Sequence, residues 1–128
     1  MMVIKKIINI EDSVGKHWDI NRALEWNRCP AADLAMNAEE GIAIIEKAIA
    51  DGEPYDLLIT DMHYSVNGID NEQAGLYVIE ELKRKGINFP VIVCSSIRYN
   101  LPEIAGCLFY NKSRDLNWDL KEVLAGIK

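Results

Sequence analysis

Five short apolar runs punctuate the chain: VIKKIINI (3–10), ADLAM (32–36), DLLIT (56–60), PVIVCS (90–95) and CLFYN (107–111). Most are continuous rather than alternating, the pattern of strands covered on both faces. The segments between them carry a helical period. In 38–52, Ile42, Ile45 and Ile49 recur at helical spacing before Gly52; in 72–86, Leu76, Ile79 and Leu82 form one stripe that ends at Gly86. Residues 13–27 show a weaker stripe of Ile20, Ala23 and Leu24, and 114–128 align Leu116, Leu120, Val123 or Leu124, and Ile127. Strands alternating with helices at this spacing predict right-handed crossovers and a parallel sheet in a single α/β domain, residues 1–128.

The fourth crossover is different. Only SIRYNLPEIAG (96–106) joins the fourth and fifth runs, and Pro102 interrupts it. That is close to the minimum for a parallel crossover, about 10–12 residues. A short or irregular fourth helix is expected, with Pro102 opening a single turn through Ala105.

Composition changes this picture little. Apolar residues make up 49% of the chain and charged ones 27%, and the formal net charge is −6. That balance offers no basic field for a nucleic-acid backbone. KRKG at 83–86 reads as a solvated helix end. Cys29, Cys94 and Cys107 fit neither a disulfide framework nor zinc spacing; their odd number favours a reducing cytoplasm. The N-terminal segment lacks the order of a signal peptide, and no stretch approaches a membrane span. Trp18, Trp26 and Trp118 are expected to cover the core from their helices, with partial exposure of Trp18 or Trp118 toward a partner as the other reading. Tyr64 and Tyr99 read as loop aromatics.

The chemistry lies at the strand ends. DLLIT runs directly into Asp61, and a buried ionised acid is costly unless it is paired or bound to metal. In such sheets ligands bind beyond the carboxyl ends of the strands. The first run leads to Glu11 and Asp12, the third to Asp61, the fourth ends at Ser95, and the fifth runs to Lys112. Two carboxylates about 5 Å apart repel by roughly 3 kcal/mol at an effective dielectric of 20. Three together require a cation or protons, and an all-oxygen set suits a hard ion such as Mg²⁺. Taken singly, Asp61 is an ordinary strand-end turn residue and Glu11-Asp12-Ser13 an ordinary helix start. Lys112 alone is a surface lysine.

Taken jointly, IINIEDS, YDLLITDM, PVIVCSS and LFYNKS, in that order along the whole chain, resemble the receiver domains of two-component response regulators. The resemblance implies a flavodoxin-like, chemotaxis-regulator-like sheet of order 2-1-3-4-5 with helices on both faces. It makes Asp61 the phosphoacceptor. Glu11, Asp12, Asp61 and the backbone carbonyl of His63 become Mg²⁺ ligands, with Lys112 and Ser95 meeting the phosphoryl oxygens. Ser95 and Phe109 are then the switching pair. Partners would be a histidine kinase or phosphotransfer protein and an output protein of unspecified kind, without nucleic-acid or membrane contact; a homodimer is compatible. His63 and Ile97 would flank the path of a hydrolytic water.

Three departures stand against the family pattern. MHYSVNGIDNEQAG (62–75) is longer than usual and lacks proline, which reads as a flexible loop, a lid or a partner contact. Ser113 replaces the customary proline after Lys112, and the fourth crossover is shortened. Two other functions therefore compete. One is a receiver-like module that binds partners without phosphorylation. The other is a small phosphatase with an aspartyl nucleophile, disfavoured because His63 stands where a general acid is expected and no cap segment follows. The span fits a single-domain regulator or a piece of a longer protein.

Overall fold

The computed structural model describes residues 3–127, so residues 1–2 and 128 of the expected span lie outside it. The chain runs β1 (Ile7–Ile10), α1 (Val14–Trp26), β2 (Ala32–Ala35), α2 (Ala38–Ala50), β3 (Leu57–Thr60), β4 (Tyr64–Val66), β5 (Ile69–Asn71), α3 (Ala74–Arg84), β6 (Val91–Ser95), β7 (Gly106–Phe109) and α4 (Leu116–Ala125). The main sheet is parallel, with order β2-β1-β3-β6-β7, which is the expected 2-1-3-4-5 once the small β4–β5 pair is set aside.

Alternation across the pleat explains why the strand runs are apolar throughout. Ile8, Ile10, Leu58 and Val91 face a core closed by α2 and α3. Ile7, Leu57, Ile59, Ile92 and Cys94 face a second core closed by α1 and α4. Both faces are buried, so neither strand parity is left for polar residues. Each fully buried Ile or Leu contributes about 1.5–3 kcal/mol.

One central residue breaks the pattern. Asn9 is fully buried and points toward α1, where a polar chain receives it. Its Nδ2 donates to the Ile59 carbonyl at 2.8 Å, and its Oδ1 meets His17 Nδ1 at 2.8 Å. Asn21 Nδ2 lies 3.1 Å from His17 Nε2, and Asn21 Oδ1 accepts from the Ala32 N–H at 2.9 Å. With both amide oxygens accepting, the network assigns the proton to Nδ1 and leaves Nε2 as acceptor. Burial accordingly holds the His17 pKa below its usual value.

Side-chain caps start three of the helices. Ser13 Oγ accepts from Lys16 N–H at 3.2 Å, Asn37 Oδ1 from Glu40 N–H at 2.9 Å, and Asp115 Oδ1 from Trp118 N–H at 3.2 Å.

Several expectations change. The segment 62–74 contains a hairpin, formed by β4 and β5. Asn67 and Gly68 both adopt positive φ (54° and 78°), the twist a tight two-residue hairpin turn needs. Tyr64 is no loop aromatic: it is fully buried and belongs to the α2–α3 core. On α2 the buried face is Ala38, Gly41, Ile45 and Ala48, whereas Ile49 is 44% exposed. Ile45 is buried and Ile42 packs against the core as the stripe predicts, while Gly41 lets the helix lie close on Ile10. Trp18, Trp26 and Trp118 are 66%, 52% and 49% exposed, so they do not cover the core. Leu24, Ala23 and Ile20 fill α1's buried face instead. Between β6 and β7 no helix forms; a single turn from Leu101 to Ile104, closed at 3.3 Å, makes the crossover. Among the described residues, no helix is long and apolar enough to cross a membrane.

Candidate functional site

The parallel register sets Ile10 beside Thr60, so β1 and β3 end level and Glu11 and Asp61 emerge side by side. Asp61 N–H donates to the Ile10 carbonyl at 3.0 Å and Glu11 N–H to the Ala35 carbonyl at 2.8 Å, carrying the ladder one residue past each strand. Carboxylate oxygens of Glu11, Asp12 and Asp61 all lie within 4.8 Å of one another. Glu11 is buried, Asp61 half-buried and Asp12 exposed.

The cation beside this cluster comes from α1. Lys16 Nζ lies 3.3 Å from Glu11 Oε1 and 3.4 Å from Asp61 Oδ2, and the side chain is only 9% exposed. The same ammonium sits 5.0 Å from the centre of the Tyr110 ring, whose hydroxyl donates to Asp19. Sequence reasoning missed Lys16. The available signal was its place four residues before Ile20 on the stripe that α1 turns toward the sheet.

Glu11 is the strained member. Its Oε2 accepts from Ser13 N–H at 3.2 Å, but Oε1 has no hydrogen-bond partner among the described residues. Burial pushes its pKa up to about 7; Lys16 opposes that rise, Asp61's charge adds to it, and the Ser13 N–H opposes it.

Asp61 is held from behind. Its Oδ1 accepts from Met62 N–H at 2.7 Å. Thr60 Oγ1 donates to the Asp61 carbonyl at 2.7 Å, which leaves the buried Tyr64 hydroxyl, 2.9 Å away, to donate to Thr60. The hairpin is therefore bonded to the residue preceding the acid. Behind it, Gly75 of α3 packs so tightly that a Cβ there would lie 2.5 Å from the Asp61 carbonyl oxygen.

In front of Asp61 opens a cavity of about 400 Å³, lined by Lys16, Met62, His63, Glu72, Gln73, Ser95, Ser96, Ile97 and Tyr99 as well as Asp61. Ser95 is buried, and its Oγ accepts from Ile97 N–H at 3.2 Å. Across the β6–β7 ladder Ser95 is the register partner of Phe109, a half-buried ring on which the Arg98 guanidinium stacks at 4.8 Å. Lys112 is elsewhere. It is exposed, forms no ion pair among the described residues, and lines a different cavity with Asp19, Tyr110 and Arg114. It is the second residue of a tight turn in which Arg114 N–H donates to the Asn111 carbonyl at 3.0 Å. Ser113 N–H and Oγ both donate to Asn111 Oδ1, at 2.9 and 2.7 Å, holding that turn.

The residues present fit a hard divalent ion. Three carboxylates against one ammonium leave a formal charge of −2, and buried Glu11 Oε1 meets the Lys16 ammonium at 3.3 Å without hydrogen-bond geometry. Oxygens around one Mg²⁺ lie within about 4.2 Å of each other, so a small contraction or one bridging water is needed.

No protein-family model matches this sequence, and no curated protein is recognisably similar to it. Solved structures are. The chemotaxis response regulator CheY4 of Vibrio cholerae superposes with a TM-score of 0.70 at 16% identity, covering 98% of this chain and 100% of that one. The fold is that of response regulator receiver domains. A CheY-like receiver domain protein from Methanospirillum hungatei gives a TM-score of 0.66 at 16% identity over 96% of this chain and 93% of that one. A two-component response regulator from Clostridium difficile gives 0.67 at 19% identity over 95% and 94%. At these identities the likeness is one of receiver architecture; the chemistry rests on this chain's own residues.

Proposed function

We propose that this chain is a phosphoryl-accepting signalling domain. Asp61 attacks the phosphorus of a phosphohistidine on a histidine kinase or phosphotransfer protein. A P–O bond to the aspartate forms while the P–N bond breaks, and the electron pair leaves with the imidazole. The observation that carries this reading is the three-acid cluster at the carboxyl edge of the sheet, whose member Asp61 borders a cavity that the buried Ser95 also lines.

Glu11, Asp12, Asp61 and the His63 carbonyl would hold Mg²⁺, which when bound supplies positive charge for the phosphoryl oxygens. The chain's own groups do the rest. Met62 N–H and Gly75 fix the acid's orientation. Ser95 turns its hydroxyl from Ile97 N–H to the phosphoryl group, and Phe109 beside it follows. The shifted population is read by an output partner. No turnover of an external substrate is involved, apart from loss of the phosphoryl group to water past His63 and Ile97.

The test is intact mass after incubation with Mg²⁺ and acetyl phosphate. Gain of one phosphoryl group that disappears in Asp61→Asn and without Mg²⁺ is the expected result. No gain under any condition would refute the reading. One observation favours a phosphorylation-independent interaction module as the second reading: the Lys16 ammonium, paired with both Glu11 and Asp61, balances part of the acids' charge from within the chain.

A further inference from the structure

The structure assigns to Lys16, on α1, the work that the resemblance gives to Lys112: it is the ammonium that faces a phosphoryl group on Asp61. The assignment rests on the proposed phosphoacceptor role of Asp61 and goes beyond it, because it moves the charged group from the end of the sheet's last strand to the first helix.

Three observations carry it. The cavity into which Asp61 opens is lined by Lys16 and Ser95, so a group attached to that carboxylate enters a space these two side chains border. Lys112 borders a separate cavity. Second, Asp61's two oxygens have different company: Oδ1 accepts from Met62 N–H, whereas Oδ2 faces Lys16 Nζ at 3.4 Å. Third, Lys16 is held by the two carboxylates and by the Tyr110 ring, and Tyr110 is itself held by Asp19. A flexible surface lysine gives up several rotors to reach a phosphoryl group; a buried, flanked one is already in place.

The same position has an opposite effect on metal. A fixed positive charge between Glu11 and Asp61 repels a divalent ion approaching the same oxygens, yet attracts the phosphoryl group, which brings added negative charge. Lys16 therefore weakens Mg²⁺ binding in the resting protein and favours the phosphorylated state. In the reaction with acetyl phosphate, an Asp61 oxygen bonds to phosphorus as the bond from phosphorus to the acetyl oxygen breaks. Acetate leaves with the electron pair, and no proton is exchanged. Lys16 acts only by charge.

The test compares Lys16→Met, Lys16→Arg and Lys112→Met with the wild type, measuring Mg²⁺ affinity by calorimetry and acetyl-phosphate labelling by intact mass. Lys16→Met is expected to bind Mg²⁺ about tenfold more tightly or better, through loss of the like charge. It should be phosphorylated about a hundredfold more slowly, through loss of a charged group at the developing charge. Lys16→Arg should recover much of the labelling rate, and Lys112→Met should match the wild type in both measurements. Tighter metal binding with slower labelling is a combination that a misfolded variant cannot produce. Labelling of Lys16→Met at the wild-type rate, or its loss in Lys112→Met alone, overturns the assignment while leaving the Asp61 reading intact. Loss of Mg²⁺ binding together with labelling in Lys16→Met also overturns it, in favour of a structural ion pair. A wild type that takes no phosphoryl group at all overturns both.

Discussion

Replacing Glu11 by Gln should make the metal-free protein more stable, and only above a defined pH. Glu11 has a folded pKa near 7 against 4.5 for the free group, with burial the main cause. Between those values the native state holds a proton that the unfolded chain has released. Stability from this group is complete below pH 4.5 and is lost as pH rises through 7. The difference of 2.5 units corresponds to about 3 kcal/mol, already net of the attraction from Lys16. Glutamine is neutral throughout and keeps an oxygen for the Ser13 N–H. Urea denaturation in EDTA, followed by circular dichroism, should therefore give nearly equal stabilities at pH 4.5 and a variant about 2–3 kcal/mol more stable at pH 8. Taking the difference between the two proteins at each pH removes the titrating groups that do not interact with Glu11. A variant equal to or weaker than the wild type at pH 8 would refute the claim that Glu11 is charged and under-compensated in the resting fold.

Gly75→Ala should cost about 1–3 kcal/mol and slow labelling of Asp61, since the new Cβ drives into the Asp61 carbonyl oxygen; denaturation midpoints and intact mass check both. Tyr64→Phe removes the donor to Thr60 and should lower stability by about 1 kcal/mol, with earlier proteolytic cleavage in the β4–β5 hairpin. His17 should titrate below 6.5 by NMR, with the neutral Nδ1–H form above that point. Because its folded pKa is depressed, its share of stability is full above 6.5 and is lost as pH falls through the folded value.

Much of the architecture was legible because both faces of the sheet are covered, so the strands stand out as unbroken apolar runs such as Leu57–Ile59. The acids were legible for the same reason: Glu11 and Asp61 each end such a run. What was misread turns on local chemistry. Within 62–75, Asn67-Gly68 is a hairpin-turn signal, flanked by Tyr64 and Val66 on one parity before it and Ile69 just after. Lys16 was overlooked because a lysine on a weak helical stripe reads as solvent-facing. Its burial depends on Asp61, far away in sequence, as well as on Glu11 just before the helix. Lys112 was placed by its position after the fifth run, but the direction of a side chain beyond a strand is set by the next turn, here the one held by Asn111 and Ser113. The tryptophans were placed by bulk alone, while Ala23 and Gly41 show that helices lying this close to a sheet favour small residues.

The polar chain from Ile59 through Asn9, His17 and Asn21 to Ala32 sets a limit on how this sequence can drift. Each member is fitted to the donor or acceptor sense of its neighbour, so a single exchange strands a buried partner, whereas a joint replacement by apolar residues of similar volume would leave none. The three side chains are thus one heritable unit. A redesign of this helix–sheet interface, or a search for relatives too divergent to align, should treat positions 9, 17 and 21 as a single three-letter word that changes together or not at all.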